Sequence, residues 1–224
     1  MRGKLIVIEG TDCSGKETQS TLLINKLREN GMQVEKFSFP NYDSATGKII
    51  MGPYLGHADE SFFPSGPVDV DPKVAALYYA ADRTYNIHKI TWLLEHGIHV
   101  ILDRYVYSNM AHQGCKIQDD EERNKMYEWL EQLEFNLLEL PKPDIAIFLH
   151  MPTDKTKDLL GNREVLDGHE KDISYLYNAE RSYLELSHKY NFTKIECTND
   201  NDIRSIEDIN GELLGIITEK MQNK

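Results

Sequence analysis

Apolar residues fall into five short runs of strand character, and the segments between them carry apolar positions at helical spacing. The first run, Ile6-Val7-Ile8, leads through a loop into a helix where Leu22, Leu23 and Leu27 recur until Asn30-Gly31, a natural C-terminal stop. Gln33 to Phe39 reads as a second strand, ended by Pro40. A short polar-capped helix follows over Asp43 to Ile50 and runs on to Tyr54-Leu55-Gly56, and residues 57 to 71 read as a surface loop. Asp71-Pro72 opens a long helix in which Val74, Leu77, Tyr78, Ala81 and Tyr85 repeat at helical spacing, ending near His96-Gly97. Tyr79 and Arg83, one turn apart, share one of its faces.

Ile98 to Leu102 is the third strand, with Asp103-Arg104-Tyr105 just past its end. Asp119, followed three residues later by Glu122, caps a helix whose Met126, Trp129, Leu130, Leu133 and Leu137 form a core stripe. The acidic run there is a helix start and a solvated face. Pro141-Lys142-Pro143 stiffens the entry to a fourth strand, Asp144 to Leu149, and Pro152 to Leu160 reads as a helix. The polar stretch from Gly161 to Glu170 has no apolar period and suits a flap, over about residues 158–171. A helix from Asp172 to Tyr190, a fifth strand from Phe192 to Cys197, and an amphipathic helix with Ile203, Ile206, Ile209, Leu213 and Ile217 complete the pattern. Strand and helix alternate along what reads as one domain, 1–224, which predicts an α/β fold with a helix-covered parallel sheet. Ligands of such sheets lie beyond the carboxyl ends of the strands, where Phe39-Pro40-Asn41-Tyr42 and Asp103-Arg104-Tyr105 stand.

The first of those ends carries the strongest chemistry. Gly10-Thr11-Asp12-Cys13-Ser14-Gly15-Lys16 has the spacing of a phosphate loop between a strand and a helix. A strand turning sharply into a helix aims backbone N–H groups and the positive helix end at one spot, where polyphosphate fits. Lys16 would reach the outer phosphates as a mobile charge. The usual hydroxyl directly after the lysine is Glu17 here, and the hydroxyl comes one residue later at Thr18.

Composition narrows the partners. A net charge of −12 argues against a nucleic-acid surface, so an anionic ligand must meet a few cations gathered in a pocket. No apolar run approaches the roughly 18 residues that span a bilayer. Met1-Arg2-Gly3-Lys4 passes into the first strand without a signal-peptide core, which predicts a cytoplasmic address. Cys13, Cys115 and Cys197 lack metal-type spacing and read as free thiols in a reducing compartment.

In order and spacing, several motifs resemble the thymidylate kinase family of P-loop nucleoside monophosphate kinases over nearly the whole chain. They are Glu9-Gly10-x-Asp12, Phe39-Pro40-x-Tyr42, Tyr79-Ala80-Ala81-Asp82-Arg83, Asp103-Arg104-Tyr105 with Ser108 and Asn109, and Leu140-Pro141-Lys142-Pro143-Asp144. The resemblance implies a P-loop NTPase three-layer sandwich around a five-stranded parallel sheet, with a flap, or LID. It also implies a homodimer that transfers the γ-phosphoryl group of ATP to dTMP with Mg²⁺, and no nucleic-acid or membrane partner.

Site roles follow from the same resemblance. Gly10, Thr11, Asp12, Cys13, Ser14, Gly15, Lys16, Glu17 and Thr18 would hold the ATP phosphates, and Asp12 would also accept a hydrogen bond from the 3′-hydroxyl of the acceptor. Tyr79 would stack on thymine and Arg83 would hydrogen-bond it. Asn109 would stand at the sugar and phosphate side, Phe39 and Tyr42 would wall the pocket, and His112 and Gln113 would complete it. His112 occupies a place where the family generally has Tyr or Phe against the sugar. Lys16, Asp103, Arg104 and Arg163 make up the catalytic set: Arg104 grips the acceptor phosphate and Asp103, with Glu17, serves the metal. Cys13 stands where some members carry a loop arginine, so Arg163 on the flap would supply that cation, with Lys155 and Lys157 as lesser candidates.

Two rivals use the same loop. The nearer is a deoxynucleoside kinase, or another nucleoside monophosphate kinase, on the same fold; a deoxynucleoside kinase needs a carboxylate base for a neutral hydroxyl, and its usual Arg-Ser pair is replaced by Arg104-Tyr105. A GTPase-like nucleotide switch would need a guanine-reading Asn-Lys-x-Asp run, and Asn25-Lys26-Leu27-Arg28 lacks the acid and lies in the first helix.

Overall fold

A computed structural model describes residues 2–11, 13–56, 62–63, 66–160, 173–199 and 202–222. Five strands, β1 (Leu5–Gly10), β2 (Val34–Ser38), β3 (His99–Asp103), β4 (Ile145–His150) and β5 (Thr193–Glu196), form one sheet in the order β2-β3-β1-β4-β5. All its pairings are parallel, with Ile6 of β1 between Ile101 and Ile145. β1 is central and wholly buried, which is why its run is continuously apolar rather than alternating.

Side chains still alternate between two faces. Leu5, Val7, Leu102 and Phe148 pack with Ile90 and Leu94 of α3 (Pro72–Glu95), Met110 of α4 (Val106–Gly114) and Leu186 of α7 (Ile173–Lys189). Ile6, Ile8, Ile101 and Ile147 pack with Leu23 and Leu27 of α1 (Lys16–Glu29) and with Leu213 and Ile217 of α8 (Ile206–Gln222). Helix, sheet and helix make three layers, as the alternation of elements predicts.

The remaining helices are α2 (Ala45–Ile49), α5 (Asp120–Glu131) and α6 (Thr153–Leu160). Two start signals hold in detail: Asp71 accepts from the N–H groups of Lys73 and Val74 at 2.9 and 3.1 Å, and Asp119 from that of Glu122 at 2.9 Å. Other features depart from the sequence pattern. α4 is buried at every position but His112, polar residues included, and β6 (Thr198–Asn199) and β7 (Asp202–Ile203) form a short antiparallel ribbon. After α5 the helix widens into a π-type turn, Gln132–Leu137, which changes the register. Leu137, expected in the core stripe, is 68% exposed, whereas Glu134 is fully buried. On α3 the apolar residues Val74, Leu77 and Tyr85, joined by Trp92, lie on the exposed face, and Ala75, Ala76, Ala80 and Ile87 are buried with Ile90, Leu93 and Leu94.

Candidate active site

Gly10 ends β1 against the neighbouring strand. A Cβ there would lie 2.5 Å from Ser14 Oγ and 2.7 Å from the carbonyl oxygen of Leu149, so only glycine fits. Gly15 takes a left-handed φ of 76°, and the first turn of α1 has no side-chain cap, which leaves its N–H groups for an anion. Lys16 is buried beneath the loop, its Nζ donating to the carbonyls of Gly10 and Thr11 at 3.0 and 2.8 Å. Thr11 ties the loop to the end of β4 by donating from Oγ1 to Met151 O at 2.8 Å. The cleft over this loop is lined by Cys13, Gly15, Lys16, Glu17 and Thr18, and across it by Asp103 and Arg104. Glu17 and Asp103, drawn from α1 and β3, thus face one space. Among the described residues no group of three or more His, Cys, Asp or Glu side chains is arranged to hold a metal.

A second cavity adjoins it and opens to solvent on one side. Its walls bring together Phe39, Tyr42, Tyr79, Arg83, Arg104, Asn109, His112 and Gln113, which the sequence assigned to one ligand. Phe39, Pro40, Tyr42 and Arg104 belong to both cavities. Asp12 and Arg163, and the flap from residue 161 on, lie outside the described residues.

At one end of this cavity Arg83 makes a two-pronged contact with Glu134, from Nε at 2.5 Å and Nη2 at 2.7 Å. Asn109 joins the same carboxylate, Nδ2 donating to Glu134 Oε1 at 2.9 Å and to Ala76 O at 3.1 Å. These contacts put Asn109 beside Arg83. Among the described residues, Asn109 Oδ1 and both amide atoms of the fully buried Gln113 have no hydrogen-bond partner. Such groups in a cavity wall can be satisfied by water or by a polar ligand.

At the other end Arg104 stands in a left-handed backbone conformation, φ 66°, immediately after β3. Its Nη1 lies 3.2 Å from Tyr183 Oη and 3.1 Å from His112 Nε2. Since a guanidinium only donates, His112 Nε2 accepts, and Nδ1 carries the proton toward Tyr175 Oη at 2.9 Å. Behind them Glu9 is fully buried and accepts from the N–H groups of Tyr105 and Ser108 at 2.9 and 3.1 Å. Burial pushes the Glu9 carboxyl up, against the hydrogen bond from Ser108 and the charges of Arg104 and Lys16.

Glu134, Tyr175 and Tyr183 were missed as site residues. The two tyrosines are eight positions apart, two helical turns, which is the signal that would have put both on one face of α7. Glu134 stands one helical turn beyond Leu130 on the face that also buries Met126 and Tyr127, and a carboxylate at that spacing is the signal that would have found it.

A family model described as thymidylate kinase matches residues 8–208. The chain belongs to the thymidylate kinase family. A protein named probable thymidylate kinase from Pyrococcus horikoshii is 31% identical over 222 residues, covering 99% of this chain and 98% of the relative. The thymidylate kinase of Schizosaccharomyces pombe is 29% identical over 221 residues, covering 97% and 92%. The solved thymidylate kinase structure from Candida albicans superposes with a TM-score of 0.75 at 25% identity, covering all of this chain and 94% of that one. Membership of the thymidylate kinase family makes the protein a nucleoside monophosphate kinase and disfavours both the deoxynucleoside kinase and the switch module. No helix among the described residues is long and apolar enough to cross a membrane.

Proposed function

We propose that the two joined cavities hold ATP and dTMP with their phosphates end to end, and that the γ-phosphoryl group passes to the dTMP 5′-phosphate, giving dTDP and ADP. The observation that carries this reading is the shared wall: Arg104 lines the phosphate-loop cleft and the second cavity alike. An acceptor phosphate is already an anion and needs no strong base, so catalysis is alignment and neutralisation of charge. Lys16 would leave its loop carbonyls for the outer phosphates of ATP, and Arg104 would hold the acceptor. Glu17 and Asp103 would hold Mg²⁺, a hard cation that suits two carboxylates with phosphate oxygens and that neutralises charge when bound. Family resemblance assigns Asp12 to the acceptor 3′-hydroxyl and Arg163 to the γ-phosphate.

Base recognition follows from the polarity of the wall. Asn109 gives both amide hydrogens to Ala76 and Glu134, so it offers an acceptor, while Arg83 offers only donors. A ring N–H beside a carbonyl is the complement, and thymine presents N3–H beside O4. Tyr79 would stack on the ring.

The exposed face of α3 supports a homodimer. Val74, Leu77, Tyr85 and Trp92 form an apolar stripe, and the only carboxylate of α3 before Glu95 is the buried Asp82. In a chain of net charge −12, two such faces can meet without like-charge repulsion.

Turnover with ATP and dTMP, dUMP, dGMP or thymidine tests the reading. Phosphorylation of dTMP above the other three supports it, and a preference for thymidine or dGMP overturns it.

A further inference from the structure

We propose that Glu134 sets the polarity of the base-reading wall and so determines discrimination between thymine and cytosine rings. The inference rests on the reading that the second cavity takes the base of dTMP.

The side-chain amide of Asn109 has two orientations, and only its neighbours decide between them. Both neighbours here are acceptors: Glu134 Oε1 at 2.9 Å and the backbone oxygen of Ala76 at 3.1 Å. A carboxylate cannot donate to an amide oxygen, so the NH₂ group is held toward Glu134, and Oδ1 is the end left without a partner among the described residues. The same carboxylate takes two N–H groups of Arg83, fixing the plane of its guanidinium. Glu134 itself is fully buried and does not line the cavity, so it acts through the two readers as a positioning residue. One carboxylate thus dictates an acceptor at Asn109 and donors at Arg83. A cytosine ring offers the reverse pattern, an acceptor at N3 and an amino group at C4, and meets both readers wrongly.

A glutamine at this position has the same shape but one donor end. Arg83 donates to both carboxylate oxygens and Asn109 to Oε1, so the new NH₂ group meets an N–H of Arg83 in either orientation and in one of them Asn109 as well, whose amide can then turn its oxygen inward and its NH₂ group outward. The wall loses its fixed polarity while its volume stays the same.

The experiment measures kcat/KM for dTMP and for 5-methyl-dCMP, which differ only at the N3 and C4 edge, in the wild-type enzyme and in Glu134→Gln. The expected result is a fall of about tenfold or more in the dTMP to 5-methyl-dCMP ratio, carried mainly by KM for dTMP. Equal losses on both substrates, or an unchanged ratio, overturn the proposal, because a residue that merely supports the fold does not move the ratio. If Glu134→Gln does not fold, Asn109→Ser answers from the other side: a serine hydroxyl donates and accepts equally, so the ratio must again fall, and a wild-type ratio overturns the proposal. A wild-type enzyme that does not use dTMP rejects the underlying reading instead, an outcome distinct from wild-type discrimination that survives both substitutions.

Discussion

The backbone N–H of Asn41 donates to Asp82 Oδ2 at 2.8 Å, which pins the turn after β2 to the middle of α3. The other oxygen of Asp82 accepts from Ser44 Oγ at 3.0 Å, Thr46 Oγ1 at 2.7 Å and Asn86 Nδ2 at 2.9 Å. Asp82 therefore holds the segment that carries Phe39 and Tyr42, while its neighbour Arg83 turns into the cavity. Asp82→Ala takes the acceptor from the Asn41 N–H and the Thr46 hydroxyl, whereas Ser44 keeps the Asn41 carbonyl and Asn86 the Asp82 carbonyl; a donor left unpaired costs about 1–3 kcal/mol when buried. We expect a loss of about 2–4 kcal/mol in urea unfolding and a rise in KM for dTMP, with Asp82→Asn closer to wild type.

The sheet was legible because its strands are short apolar runs between helices of clear period, and the phosphate loop because a strand-turn-helix leaves few alternatives. Phe39, Tyr79 and Arg104 could be assigned to one cavity because strand ends and one helix face bring them there. Glu134 and the exposed stripe of α3 were less legible. Glu134 falls at helical spacing on the buried face of α5 and its extension, yet a carboxylate among so many acidic residues reads as solvated, and the α3 stripe has the spacing of a core face although the opposite side, with Ala76, Ala80, Ile87, Ile90 and Leu94, is the buried one.

Gly10→Ala tests the fit of the phosphate loop. Its Cβ would press on Ser14 Oγ and on the backbone of β4, and overpacking of this kind costs about 1–3 kcal/mol. Because the strain falls on the loop that cradles phosphate, we expect weaker ATP binding in calorimetric titration as well as a lower Tm.

His150 lies between Glu180 Oε1 at 2.9 Å and Glu196 Oε2 at 2.6 Å, and Glu180 also accepts from Thr153 N at 2.9 Å at the start of α6. Burial opposes the charge on His150, but the two glutamates outweigh it and raise its pKa above 6.5. Burial likewise opposes ionisation of Glu180 and Glu196, yet hydrogen bonds from His150 with Thr153 and Lys194 hold both below 4.5. The histidine's contribution is full below its unfolded pKa near 6.5 and is lost as pH rises through its raised folded value. The glutamates' contribution is full above 4.5 and is lost as pH falls through their lowered values. The stability of wild type over His150→Gln should therefore peak between about pH 4.5 and 6.5 and shrink on either side, as measured by Tm across pH.

Leu77→Glu and Tyr85→Glu place charge on an α3 face where Tyr85 is 61% and Leu77 50% exposed. If that face joins two copies, sedimentation should show a wild-type dimer and monomeric variants. A monomeric wild type contradicts the homodimer, and dimeric variants contradict its placement on α3.

A crystal structure with dTMP and a non-hydrolysable ATP analogue bound together tests the central claim most directly. The account predicts thymine N3–H on Asn109 Oδ1 and O4 on Arg83, the dTMP phosphate on Arg104, and the outer phosphates of the analogue on Lys16 with the acceptor oxygen in line. Two nucleotides seated in unconnected spaces, or an Arg104 that touches neither phosphate chain, would contradict it.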